Sequence, residues 1–169
     1  GNKGKTYKAK LELEGKYLSF VLGSQDFGIN ALKIREIVGR MPIERYPNMP
    51  DTYLGIIKLR EEVIPVVDLR NAFGMETIDY GAKSCIVIIN ISQSTGHQSI
   101  GIMVDEVRDV TNIEAADIKD TPFFGEEMDT THILSFATAG GSDKVQISLN
   151  MDQLLGFTPE MSGASMTAP

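Results

Sequence analysis

Residues 55–74 read GIIKLREEVIPVVDLRNAFG. Two apolar runs, Leu54–Leu59 and Val63–Val67, are separated by three consecutive charged residues, Arg60-Glu61-Glu62. Charge at the junction of two short apolar runs is typical of an exposed turn between two strands. A short helix is predicted next, from Asp68 to Phe73, because aspartate is a favourable N-cap and the glycine that follows can end the helix.

Similar short runs, separated by turn residues, recur along the whole chain. The predicted strands include a hairpin within 17–30, then Cys85–Ile91, Ser99–Val110, Ile133–Thr138 and Lys144–Leu149. A short helical turn leading into another strand suits residues 31–38, and a second short helix is predicted at Met151–Leu155. Without long amphipathic helices, the chain is predicted to be all-β, a barrel or sandwich fold. The parallel α/β folds that host most nucleotide and hydride chemistry need such helices, so they are disfavoured.

Length and composition predict one folded domain. The chain has 169 residues, of which 42% are hydrophobic and 23% charged, as in ordinary globular proteins. We expect a flexible N-terminal segment at 1–16, the domain at 17–156, and a flexible C-terminal tail at 157–169. The first 16 residues carry five lysines and no apolar core of a signal peptide, so a cytoplasmic protein is expected. No apolar run approaches the roughly 20 residues that a membrane helix needs.

The charge and the reactive residues argue against several functions. Residues 17–169 carry 11 basic and 21 acidic side chains, so their surface should repel the phosphates of nucleic acids. The two histidines, His97 and His132, fall in predicted loops without a nucleophile nearby in sequence, so we expect no enzyme. One cysteine and two distant histidines do not form a zinc site, and the acidic clusters lack calcium-loop spacing, so no metal is expected.

The order of several motifs indicates a family. Residues 55–74 resemble the signature of the CheW-like domain, in which a Gly-x-x-Asn-Leu-Arg-Gly turn precedes a Val-Pro-Val-Val-Asp-Leu-Arg strand and helix. Four other stretches are similar to further elements of that domain, in the same order along the chain: Tyr17–Leu22 with Phe27-Gly28-Ile29, Lys33–Ile37, Tyr46–Pro50 and Ile100–Val107. The resemblance extends from about Tyr17 to Gly156.

This resemblance implies two five-stranded, SH3-like β-barrels packed side by side. It also implies an adaptor that joins the cytoplasmic tip of a chemoreceptor to the regulatory domain of a CheA-type histidine kinase, without cofactor or turnover. Such an adaptor would work in the cytoplasm, at receptor arrays on the inner face of the membrane. The alternative is a sensing domain that binds a small molecule in the groove between the barrels; a buried apolar pocket with convergent polar groups would favour it.

By the family's pattern, Ile34, Glu36 and Arg60 map onto a receptor-binding groove between the barrels. Arg60 can present a planar fork to a carboxylate, and Glu36 is its natural partner. The structural alternative for this pair is a surface salt bridge worth about 0–1 kcal/mol.

The hairpin turn also departs from the pattern. Lys58 replaces the usual asparagine and Glu61 replaces the usual glycine, so Lys58, Glu61 and Glu62 form a possible partner-tuning turn. If the glycine position requires positive φ, Glu61 must strain or reshape the turn, and Glu61 could compete with Glu36 for Arg60.

Overall fold

The computed structural model describes residues 2–94, 96–139 and 142–156, and most of its regular elements are short strands. The strands are β1 (Gly15–Leu22), β2 (Gln25–Asn30), β3 (Ile34–Gly39), β4 (Tyr53–Leu59), β5 (Glu62–Val67), β6 (Cys85–Gln93), β7 (Gly96–Val104), β8 (Glu106–Ile113), β9 (Ile118–Lys119), β10 (Ile133–Ala137) and β11 (Gln146–Leu149). The helical pieces are α1 (Asn2–Glu12), α2 (Leu69–Ala72), 3₁₀ turns at Ala31–Lys33 and Ala115–Asp117, and a π-helical turn at Asp152–Gly156. The all-β class predicted from the sequence is confirmed, and the predicted tail at 157–169 lies outside the described residues.

The strands form two sheets. The first has the order β8-β1-β2-β11-β10-β9 and the second β3-β6-β7-β5-β4. Two parallel pairs, β2 with β11 and β5 with β7, join segments that are far apart in the chain, and the other pairs are antiparallel. The predicted pair of five-stranded units is thus confirmed, with a sixth strand of two residues, β9, on the first sheet.

The central strand β6 has both of its faces buried. Val87, Ile89 and Ile91 pack in a core shared by the two sheets, whereas Ile86 and Ile88 pack in a core that belongs to the second sheet. All five side chains have an exposed fraction of 0%. A strand buried on both faces appears in sequence as a continuous apolar run, which is why this segment was recognisable.

The side chains of β1 likewise pack into two different cores. Leu18, Phe20 and Leu22 pack in the core shared by the sheets, while Tyr17 faces a smaller core with Ile113. Each sheet therefore covers a core of its own and contributes a second face to the shared core. This places the two sheets side by side, packed against each other through the shared core.

One predicted strand is divided. Ser99–Val110 was expected to be continuous, but β7 ends at Val104 in the second sheet and β8 begins at Glu106 in the first. The residue between them, Asp105, donates its N–H to the carbonyl of Val21 at 2.9 Å, and its carboxylate accepts from the N–H of Gly23 at 2.7 Å. The strand breaks because these bonds direct the chain from one sheet to the other.

The predicted short helices are present. Asp68 caps α2, its carboxylate accepting from the N–H of Arg70 at 2.9 Å. The helix predicted at Met151–Leu155 is a π-helical turn shifted by one residue, Asp152–Gly156.

The N-terminal segment, expected to be flexible, contains α1. Its sequence contains four lysines, with Ala9, Leu11 and Glu12 in its second half, and these residue types have high helix propensity. After the helix, the carbonyl of Leu13 accepts from the Tyr17 hydroxyl at 2.8 Å, and Glu14 accepts from the N–H of Ala115 at 2.7 Å. The folded part therefore begins before Tyr17.

Arg70 is a buried charge that joins several segments. Its side chain, 1% exposed, forms an ion pair with Asp105, and it donates to the carbonyl of Ile78 at 2.5 Å. Its guanidinium carbon lies 4.0 Å from the centre of the Tyr80 ring, within cation–π range. Because Asp105 also holds Gly23, this pair connects α2, residues 78–80, the junction of β7 and β8, and the turn between β1 and β2.

Arg70→Ala should lower the free energy of unfolding by about 3 kcal/mol, because it leaves Asp105 without its buried partner. Urea unfolding of the variant and the parent chain measures this loss. Arg108→Ala is the matched control, since Arg108 is 43% exposed and lies 3.7 Å from Asp26, and it should cost less than about 1 kcal/mol. Equal small losses in both variants would contradict a structural role for Arg70.

Candidate protein-binding site

The hairpin between β4 and β5 ends in a two-residue turn. Leu59 pairs with Glu62 across the hairpin, which leaves Arg60 and Glu61 at its tip. Arg60 has a φ of 54°, a conformation that costs of order 1–3 kcal/mol for a residue other than glycine. The positive φ that was considered for Glu61 is therefore adopted by Arg60. Arg60 is also the residue that the family pattern places in the groove.

The predicted ion pair between Arg60 and Glu36 is present. A terminal guanidinium nitrogen of Arg60 lies 2.7 Å from the Glu36 carboxylate, so Glu36, and not Glu61, is its partner. The Arg60 side chain is 63% exposed and that of Glu36 27%. Glu36 thus orients one side of the guanidinium fork while most of the side chain remains accessible to a partner.

Arg35 was not predicted as a site residue, and it extends this ion pair into a cluster. It donates to both carboxylate oxygens of Glu62, at 2.7 and 3.0 Å, and to the Ser99 hydroxyl at 3.0 Å. Its Nε also lies 3.2 Å from the Glu36 carboxylate. We call Arg35, Glu36, Arg60 and Glu62 the charged cluster. It fastens the hairpin tip to β3, across the second sheet.

A β-bulge brings these charges together. The register of β3 against β6 shifts between Ile34 and Glu36, so Arg35 is an extra residue in the ladder. In a regular strand Arg35 and Glu36 would point to opposite faces. The bulge lets both contact one cluster. No residue in β3 marks a bulge, which is why the sequence did not reveal the role of Arg35.

The other predicted site residues have different surroundings. Ile34 is half-buried and packs against the core shared by the sheets, so only part of its side chain is accessible. Lys58 and Glu61 are exposed, and among the described residues neither has a side-chain hydrogen bond or ion pair. Both side chains are thus accessible, whereas Glu62 is held by Arg35; the partner-tuning role of the turn stays a prediction.

An exposed leucine precedes the charged cluster. Leu32, in the 3₁₀ turn, is 93% exposed, and its N–H donates to the Asn30 side chain at 3.0 Å. Next to it, Lys33 forms an ion pair with Asp152, which also accepts from the N–H of Ser92 at 2.8 Å. Burial opposes the ionisation of Asp152, but these bonds outweigh it and lower its pKa. They fix the turn against β6 and the C-terminal π-helical turn, so Leu32 projects from a rigid base.

A second accessible area lies on β3, β4 and β5 of the second sheet, in which β3 and β4 are the outer strands. Ile37 is 45% exposed and Val63 60%. A cleft of about 330 Å³ adjoins Val63, lined also by Met41, Pro42, Glu44, Tyr46, Ile56 and Lys58. Outer strands and exposed apolar groups are suitable for protein contacts.

The described residues give information on metal-binding groups, histidine contacts and membrane-spanning helices. Among them no group of three or more histidine, cysteine, aspartate or glutamate side chains is placed to hold a metal ion. His132 stacks on Phe73 with ring centres 5.6 Å apart. No helix among the described residues has the length and apolar character to span a membrane.

The chain is similar to known chemotaxis proteins. The family model of the CheW-like domain matches residues 16–157. Chemotaxis protein CheW from Klebsiella aerogenes is 30% identical over 140 residues, which cover 83% of this chain and 81% of that protein. A probable chemotaxis protein CheW from Rhizobium etli is 30% identical, covering 66% of this chain and 70% of that protein. The crystal structure of the scaffolding protein TtCheW from Thermoanaerobacter tengcongensis superimposes with a TM-score of 0.72 at 28% identity, over 86% of this chain and 94% of that one.

The Glu62 carboxylate should titrate below the ordinary glutamate value of about 4.3, because the hydrogen bonds from Arg35 lower its pKa. The stabilising contact is therefore complete above the ordinary pKa and is lost as the pH falls through the lowered one. NMR titration of the Glu62 carboxyl carbon gives the midpoint. Arg35→Gln should raise that midpoint toward the ordinary value, and an unchanged midpoint would show that Arg35 does not hold Glu62 in solution.

Proposed function

This chain belongs to the family of CheW-like domains and is a coupling adaptor of chemotaxis; we propose that it joins the cytoplasmic tips of chemoreceptors to a CheA-type histidine kinase without catalysing a reaction. The match of the family model to residues 16–157 carries the proposal. The charged cluster supports it, because it supplies a positioned, accessible arginine at the groove. As such an adaptor the chain would work in the cytoplasm, at receptor arrays on the inner face of the membrane.

We propose that the receptor binds along the groove, at Leu32, Ile34 and the charged cluster. Leu32 supplies an exposed apolar side chain on a hydrogen-bonded turn. Arg60 supplies a planar guanidinium, one side of which forms an ion pair with Glu36. An exposed apolar side chain and a pre-oriented guanidinium together suit an amphipathic helix that carries a carboxylate. Since the Arg60 guanidinium is already positioned by Glu36, binding loses little of its side-chain freedom.

We propose that the regulatory domain of the kinase binds the second sheet at its apolar cleft and exposed edge. Val63 lies at this cleft with an exposed side chain, and Lys58 and Glu44 supply charges of both signs. An apolar centre with a charged rim is the usual composition of a protein interface. The two proposed surfaces use different side chains of the Arg60 hairpin, so a single adaptor could hold both partners.

Arg60→Ala should weaken binding to a chemoreceptor cytoplasmic fragment about ten-fold, equivalent to about 1.4 kcal/mol, because it removes the accessible fork. Titration calorimetry measures the affinity, and thermal unfolding measures stability. The melting temperature should fall by less than about 4 °C, since an exposed ion pair contributes at most about 1 kcal/mol.

Arg108→Ala is the control for this experiment, because it removes a partly exposed arginine from the first sheet. It should leave receptor affinity unchanged. If Arg60→Ala lowered stability as much as binding, Arg60 would be a structural residue and the proposed receptor contact would be wrong.

Val63→Glu should weaken binding to the kinase regulatory domain at least ten-fold, because it places a charge at the centre of the apolar cleft. Val110→Glu is the matched control, since Val110 is 57% exposed, close to the 60% of Val63, but lies on β8 of the first sheet. Surface plasmon resonance with the kinase domain and the receptor fragment separates the two partners. Equal effects of the two variants, or loss of receptor binding alone, would refute the assignment of this surface.

A further inference from the structure

The interior face of the first sheet is polar where a core would usually be apolar. Ser19 on β1 pairs with Gly28 on β2, Gly28 pairs with Ser148 on β11, and Ser148 pairs with Ser135 on β10. The exposed fractions of the three serines are 7%, 0% and 3%. We call these four residues the polar row. It crosses four consecutive strands beside the small apolar core around Tyr17.

Gln146 lies over the centre of the polar row. A Cβ atom added at Gly28 would clash with its amide group, so the glycine provides the space that this side chain occupies. Gln146 is 5% exposed, and its Nε2 is buried without a hydrogen-bond partner among the described protein atoms. The Oγ of Ser148 is buried and unpartnered in the same way. Because buried donors are nearly always satisfied, these two groups indicate a partner from outside the chain.

A cleft of about 140 Å³ opens beside Gln146, and its rim is charged. Arg108 and Asp26 are 3.7 Å apart and compensate each other. Lys144 and Asp109 also line the cleft, and within the described part of the chain neither forms an ion pair. Both side chains are exposed, so the rim offers a ligand one positive and one negative charge. Ser19 and Thr111 add hydroxyl groups to the lining.

We propose that this cleft binds a small zwitterion, an α-amino acid with a short side chain. Its carboxylate accepts hydrogen bonds from Lys144 and the Gln146 amide, and its ammonium group is bound by Asp109. An anion without an ammonium group would be repelled by the Asp109 carboxylate, and a cation alone would leave the buried Gln146 amide without an acceptor.

The small volume of the cleft, about 140 Å³, suits a ligand of few heavy atoms, such as glycine, alanine or serine. The cleft lies on the interior side of the first sheet, whereas the receptor and kinase surfaces proposed above involve the groove and the second sheet. The inference is therefore independent of the adaptor function.

Titration of the ¹⁵N-labelled chain with L-serine tests the proposal. The side-chain amide resonances of Gln146 should shift in a saturable way, with a dissociation constant on the order of 1 mM, as expected for so small a ligand. Lys144→Gln and Asp109→Asn should each weaken binding about ten-fold or more without changing the overall spectrum. Gly28→Ala should also abolish the Gln146 response, because its methyl group displaces the amide.

Acetate and ethanolamine are the matched probes, since each carries one of the two charges. Both should bind at least ten-fold more weakly than serine. The proposal would be overturned by linear shifts with serine up to about 50 mM, far above the expected constant. Equal binding of acetate, or binding unaffected by both charge variants, would likewise exclude a zwitterion site and leave solvent as the partner of Gln146.

Discussion

The burial of both faces of the central strands is the constraint on which the rest of the structure depends. Strand β6 supplies one set of side chains to the shared core and another to the core of its own sheet. A change in its register would exchange the two sets, so the position of β6 against its neighbours is strongly fixed. Strand β3 pairs with β6, and the Arg60 hairpin is linked to the same sheet through β5 and β7. The strands that carry Glu36 and flank Arg60 are therefore paired, directly or through β5 and β7, with the strand whose register burial fixes.

The buried pair of Arg70 and Asp105 has a different role from the apolar cores. Hydrophobic packing holds the sheets together without specifying how their connections are arranged, because it has no direction. An ion pair with directed hydrogen bonds does have direction. Asp105 lies at the crossing from the second sheet to the first and binds the turn at Gly23, while Arg70 brings in α2 and residue 78. The pair thus fixes the position at which the chain crosses from the second sheet to the first.

The charged cluster combines two local departures from regular structure. The bulge in β3 directs Arg35 and Glu36 into one cluster, and the positive φ of Arg60 turns its side chain toward Glu36. The ion pair between Arg60 and Glu36 contributes little to stability because the Arg60 side chain is largely solvated. Strained or irregular backbone that is retained without a large gain in stability is more often found at functional sites. This agrees with a binding role for the hairpin tip.

The sequence by itself determined the fold class and the cap of α2 by Asp68, since turn residues and apolar periodicity are local properties, and the resemblance to the family supplied the pairing of Arg60 with Glu36. The sheet change at Asp105, the bulge at Arg35 and the polar row beneath Gln146 were decided only by the tertiary structure. Each of them depends on strands distant in the chain: Asp105 on Val21 and Gly23, Arg35 on Glu62 and Ser99, and Gln146 on Gly28. Local periodicity carries no information about which distant strand becomes a neighbour, so no reading of a single segment could have found them.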